Sequence, residues 1–190
     1  MERLVSTLDI ELRSVDGRPD APVIAGYAAV FNELSVDLRG FRERILPGAF
    51  TRSLSNDVVA LFNHDPNYVL GRSSAKTLRM MEDRRGLAIE IDPPETSFAR
   101  DMIVGMKRGE IRQMSFGFRV AKNGDTWDNI DGKVVRTLTD VDLFDVSVVT
   151  NPAYPQTTAE VRAIAANLNK PIPDLGAIAR MKMLTVQASI

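Results

Sequence analysis

Residues 112–121 read Arg-Gln-Met-Ser-Phe-Gly-Phe-Arg-Val-Ala. Met114, Phe116, Phe118 and Val120 fall on one side of an extended chain, and Gln113, Ser115, Gly117 and Arg119 fall on the other. A period of two marks a β-strand with one buried face. The aromatic, Met-rich face would anchor the strand in a core, leaving Ser115 on a polar face that can address a cleft.

The flanking sequence extends this β pattern in both directions. On the N-terminal side, residues 95–108 predict the clearest helix. Thr96 or Ser97 can cap it, Phe98, Met102, Ile103 and Met106 form an apolar stripe, and Gly109 closes it. Residues 58–62, Val-Val-Ala-Leu-Phe, read as a core strand running straight into Asn63-His64-Asp65-Pro66. His64 therefore sits where a strand meets a loop, a common place for reactive groups. Further strands are expected over 7–15, 23–31, 41–46, 69–72, 77–82 and 86–91, with a short helix over 49–55. Gly26 could mark a bulge or a close backbone approach. On the C-terminal side, Asn123-Gly124 and Asp131-Gly132 are hairpin signals around Trp127. One long strand is expected over 133–150, and residues 158–168 predict a helix. The whole reads as a mainly β, α+β fold, a closed or nearly closed β-barrel flanked by helices. Residues 1–168 form the expected domain. Residues 169–190, carrying Pro171 and Pro173, form a tail that is either a docked helix or a detachable segment.

Composition narrows the chemistry. The 190 residues suit one domain with a sizeable core, and 44% apolar with 26% charged residues is ordinary for a globular protein. A formal net charge of −1 gives no global basic field, so no nucleic-acid partner is expected. No apolar run approaches the roughly 20 residues that cross a bilayer, and the N-terminus lacks a secretory apolar core. No membrane partner is expected, and a cytoplasmic location is. The absence of cysteine excludes disulfides, thiolate nucleophiles and Cys-based metal sites. A single histidine, His64, excludes poly-His metal centres, and no cofactor is expected. His64 is then the one imidazole available for acid–base work near neutral pH.

A serine hydroxyl attacks poorly unless a base takes its proton. That base needs a third group to hold its tautomer, and a second imidazole is not available here. The carboxylates within residues 138–148 are Asp140, Asp142 and Asp145. Simple alternation places Asp140 and Asp142 on one face, and Asp145 on the other with Val141, Leu143 and Ser147. Asp145, between Phe144 and Val146, would be costly to bury without a partner, so it draws most attention. Asp65 points away from His64 in an extended chain. These patterns alone leave ordinary roles open: a strand serine outside any Gly-x-Ser-x-Gly elbow, a hydrogen-bonded edge histidine, a structural carboxylate.

The segments Gly26-Tyr27-Ala28-Ala29-Val30-Phe31, Glu43-Arg44-Ile45-Leu46-Pro47-Gly48-Ala49-Phe50 and Leu61-Phe62-Asn63-His64-Asp65 come first in order. Leu70-Gly71, Met114-Ser115-Phe116-Gly117-Phe118 and residues 145–154, from Asp145-Val146-Ser147 to Pro152-Ala153-Tyr154, follow. In that order and spacing they resemble the prohead protease family of tailed bacteriophages over residues 24–159. The resemblance implies a fold similar to herpesvirus assemblin, with Ser115 as nucleophile and His64 as general base. It implies an acidic third member in the strand after the serine. The family often has Glu where this chain has Asp145, which keeps Asp142 and Asp140 as alternatives. It further implies a serine endopeptidase inside the prohead in the host cytoplasm. There it would cleave scaffold or the scaffold-like N-terminal segment of the major capsid protein precursor, and also itself. The tail would then be self-processed or capsid-targeting. Assemblin-like proteases often depend on dimerisation, so a homodimer belongs to the same expectation. Backbone amides or an arginine would hold the oxyanion, with Gly117 and the loop after Thr150 as the places to look. Two other readings compete: a non-enzymatic capsid assembly or scaffolding protein with the same fold, and a serine hydrolase of small esters.

Overall fold

The computed structural model describes residues 2–6, 10–15, 18–38 and 40–150. In chain order they form β1 (Glu2–Ser6), β2 (Glu11–Val15), β3 (Arg18–Val30) and β4 (Phe41–Ile45), then a 3-10 turn at Thr51–Ser55. Next come β5 (Val59–Phe62), β6 (Asp65–Arg72), β7 (Leu78–Glu82), β8 (Gly86–Ile91) and the helix α1 (Ser97–Lys107). β9 (Gln113–Val120), β10 (Asp125–Ile130), β11 (Lys133–Leu138) and β12 (Val141–Val149) complete the described chain.

The strands hydrogen-bond into three sheets. A five-stranded sheet in the order β1-β9-β12-β5-β6 carries the candidate site. Its β12–β5 pair is parallel and its other pairs are antiparallel. A four-stranded antiparallel sheet runs β2-β3-β8-β7, and a three-stranded sheet runs β10-β11-β4. Both faces of β9 are covered over residues 114–118: Met114 and Phe116 are fully buried and Phe118 nearly so, and Ser115 and Gly117 on the opposite face, expected to be open, are buried too. Met114, Phe116 and Phe118 join Val146 and Val148 of β12, Ile24 and Ala28 of β3, and Leu87 and Ile89 of β8 in one core. Each of these side chains except that of Ala28 contributes about 1.5–3 kcal/mol on burial. Phe116 meets Phe50 edge-on, with centroids 5.4 Å apart. Helix α1 closes the core with Ala99, Met102, Ile103 and Met106. Thr96 stands at its N-cap position, and Gly109, at φ 75°, ends it by donating to the Met106 carbonyl.

Several expectations are corrected. Among the described residues the sheets stay open, and no strand pairing closes them into a barrel. Alternation shows which face of a strand is buried, but not whether the sheet's edges meet. The flanking helical structure among these residues is α1 and the short 3-10 turn. The bulge in β3 falls between Tyr27 and Ala29, not at Gly26. The long strand expected over 133–150 is two strands in different sheets. The break at Thr139–Asp140 is held by the preceding turn: Thr139 N–H and Asp140 N–H both donate to the Gly124 carbonyl, and Ala121 N–H donates to the Asp140 carbonyl. Only glycine fits at 124, because a Cβ there would lie 2.1 Å from the Asp140 oxygen. The predicted helix at 158–168 and the tail at 169–190 lie outside the described residues.

Candidate active site

His64 is delivered by a tight hairpin. Phe62 of β5 pairs with Asp65 of β6, leaving Asn63 and His64 as the whole loop. Both have positive φ, 53° and 57°. That is the signature of a type I′ turn, which favours Asn first and Gly second. Placing histidine there instead costs about 1–2 kcal/mol of local strain. The turn is clamped to the end of β12. Asn63 N–H donates to the Val148 carbonyl at 2.8 Å, and Thr150 N–H donates to Asn63 Oδ1 at 3.0 Å.

β12 brings its carboxylate to the same place by a change of phase. Val141 and Leu143 oppose Val120 and Phe118 of β9, then the register slips, and Asp145, Val146, Ser147 and Val148 oppose Gly117, Phe116, Ser115 and Met114. Phe144 is the extra residue of a β-bulge, which re-aims the strand beyond it. Simple alternation grouped Asp145 with Val141 and Leu143. The bulge reverses that grouping: Val146 and Val148 turn to the core, while Asp145 and Ser147 emerge on the face of Ser115 and Gly117. Ser53, fully buried, holds the strand just before the bulge by donating to the Val141 carbonyl and accepting from Leu143 N–H.

The three side chains meet as one hydrogen-bonded line. Ser115 Oγ lies 2.7 Å from His64 Nε2, and His64 Nδ1 lies 2.6 Å from Asp145 Oδ1. The His64 and Asp145 side chains are 5% and 8% exposed, so solvent competes little for these contacts. A carboxylate against Nδ1 places the ring proton there and leaves Nε2 to accept from the serine hydroxyl. Asp140 and Asp142 go elsewhere: both are bound by the Arg52 guanidinium at the surface. Their hydrogen bonds, Asp140's first, raise the Arg52 pKa. Asp65 accepts from Asn67 N–H and the Asn67 side-chain amide, turned into its own loop.

One neighbour escaped the sequence reading. Ser147, fully buried, donates from Oγ to Asp145 Oδ1 at 2.7 Å and lies 3.2 Å from His64 Nδ1. A serine two positions after an aspartate in an apolar strand was the available signal. Gly117 lies in a strand paired on both edges, opposite Arg3 and Asp145, and the loop after Thr150 lies outside the described residues. Among the described residues no three His, Asp or Glu side chains gather as metal ligands, and no helix is long and apolar enough to cross a membrane.

The chain is similar to known proteins. The family model described as caudovirus prohead serine protease matches residues 8–170. The prohead protease of Enterobacteria phage HK97 is 32% identical over 161 residues, covering 82% of this chain and 68% of the phage protein. The solved bacteriophage T4 capsid assembly protease aligns at a TM-score of 0.47 with 10% identity, covering 80% of this chain and all of that one.

Proposed function

Because the chain belongs to the caudovirus prohead serine protease family, we propose that it is the serine endopeptidase of a phage prohead, with Ser115 as nucleophile, His64 as general base and Asp145 as the residue that orients the base. The observation that carries this reading is the continuous line Ser115 Oγ–His64 Nε2 and His64 Nδ1–Asp145 Oδ1, at 2.7 and 2.6 Å. Within it, His64 Nε2 takes the hydroxyl proton as Ser115 Oγ bonds to a peptide carbonyl carbon. The tetrahedral adduct expels the amine, which leaves with the proton now on Nε2. Water, deprotonated by the same nitrogen, then releases the acyl group. Asp145 holds the ring in register and stabilises the imidazolium formed between these transfers.

The substrates proposed are the major capsid protein precursor, a scaffold protein, or both, cut inside the assembling capsid. Cleavage of its own C-terminal segment, homodimerisation and an assemblin-like arrangement belong to the same proposal. The test is to mix the wild type and Ser115→Ala separately with capsid precursor and follow the products by mass. Cleavage by the wild type alone is expected. An intact precursor with both would favour a non-enzymatic assembly role, and equal cleavage by both would remove Ser115 from the mechanism. Turnover of small esters without peptide cleavage would favour a small-ester hydrolase.

A further inference from the structure

We propose that Ser147 is a positioning residue, whose hydroxyl locks the Asp145 carboxylate so that the His64 ring presents Nε2 to Ser115. This deepens the serine-protease reading and rests on it. Three observations carry the inference. Ser147 is fully buried, so its hydroxyl has no competing solvent. It is the direct cross-strand partner of Ser115, which puts it beside the nucleophile on the same face of the sheet. Its oxygen lies 2.7 Å from Asp145 Oδ1 and 3.2 Å from His64 Nδ1.

The protons around these atoms can be counted. An ionised Asp145 only accepts. Its Oδ1 receives the Nδ1–H of His64 at 2.6 Å and the O–H of Ser147 at 2.7 Å. Ser147's one proton is thereby committed, so toward Nδ1 its oxygen can only be a second, longer acceptor. Both contacts favour the Nδ1–H tautomer, because a bare Nδ1 would face Oδ1 as acceptor against acceptor. Among the described residues these are the hydrogen bonds made by the carboxylate, and both fall on one oxygen. Without Ser147 the carboxylate would turn about its own torsions with only the ring to hold it, and the ring would follow. The serine also comes from the same rigid strand as Asp145, two residues on, so it fixes the carboxylate relative to β9 without help from a loop.

His64 is the one histidine of the chain, so a 15N-imidazole spectrum of the full-length protein contains a single ring and reports its tautomer without assignment. The experiment compares wild type and Ser147→Ala in that spectrum, and in the rate of phosphonylation by a fluorophosphonate probe followed by intact mass. Thermal unfolding verifies that each variant is folded at the assay temperature. The expected result is a shift from one tautomer to a mixture, together with phosphonylation slowed roughly 10- to 100-fold, the range for losing a hydrogen bond to a charged group. An unchanged tautomer, or a rate within about two-fold of wild type, overturns the proposal. Ser115→Ala runs alongside. If it is still phosphonylated, the serine-protease reading fails, while the Ser147 spectrum is judged separately.

Discussion

Replacing Asp145 with Asn is the most discriminating perturbation of the proposed site, because it removes a charge and almost no volume. His64 Nδ1 lies 2.6 Å from Asp145 Oδ1 in a nearly solvent-free setting. When the ring accepts the serine proton it becomes a cation beside that carboxylate. At a separation between charge centres of about 4 Å and an effective dielectric constant of about 20, the attraction is about 4 kcal/mol. Losing it raises the barrier by that amount, a fall of about 10³-fold in rate. The substituted amide can also turn its NH₂ toward Nδ1, which drives the ring proton to Nε2 and disarms the base, so the estimate is a lower one. The assay is kcat for precursor cleavage at saturating substrate, with Asp140→Asn and Asp142→Asn as controls. Those two carboxylates share Arg52, and their variants should stay within about three-fold of wild type on the magnitudes of surface ion pairs. The reasoning is refuted if Asp145→Asn keeps more than a tenth of wild-type kcat, or if either control loses more than it does.

Ser53→Ala should leave the buried Val141 carbonyl and Leu143 N–H unpaired, destabilising the fold by about 1–3 kcal/mol. It should lower Tm by about 2–4 °C for each kcal/mol in a scanning calorimeter and reduce cleavage by loosening the strand ahead of the bulge. Gly124→Ala would set a Cβ 2.1 Å from the Asp140 carbonyl oxygen, so the backbone must shift, at about 1–3 kcal/mol by denaturant titration; a variant as stable as wild type would contradict the close approach. Asp57 is held down to about 2 from 3.8 by its hydrogen bonds to the Arg72 guanidinium and then to Ser74. A depressed carboxylate stabilises the fold above its unfolded value and stops doing so as pH falls through its folded value. Wild type should therefore melt above Asp57→Asn at neutral pH, and the gap should close between about 3.8 and about 2.

What the sequence made legible follows from local rules. The alternation of Met114, Phe116 and Phe118 identified β9 and its core-facing side, but not that Ser115 and Gly117 on the other side are covered as well. The cap residues, the apolar stripe and Gly109 located α1 to within two residues at either end. The uniqueness of His64 left it as the one imidazole available for acid–base work before any geometry was known. The illegible parts depend on contacts distant in the chain. Whether sheet edges meet is decided by pairing between strands far apart in the chain, not by any motif within one of them. The break at Thr139–Asp140 is imposed by Gly124, fifteen residues earlier at the nearer end. The face that Asp145 occupies depends on one unpaired residue, Phe144, which nothing in the hydrophobic pattern of β12 distinguishes. Ser147 shares a face with Asp145 by simple alternation, but its place beside Ser115 and His64 exists only once that phase change has occurred.

The unpaired Phe144 also constrains how this chain can change length. Between the bulge and the point where Asn63 ties down Val148 and Thr150, every position of β12 is fixed in parity. Inserting or deleting a single codon there would turn Asp145 or Ser147 into the core and bring Val146 or Val148 out beside Ser115. Two codons together would preserve which residues face inward. Inheritance along this segment is therefore limited to even steps, whereas the exposed turn at Asp131-Gly132 can gain or lose residues one at a time. The spacing of Asp145 from Thr150 should accordingly be among the least variable distances in any lineage that keeps this site.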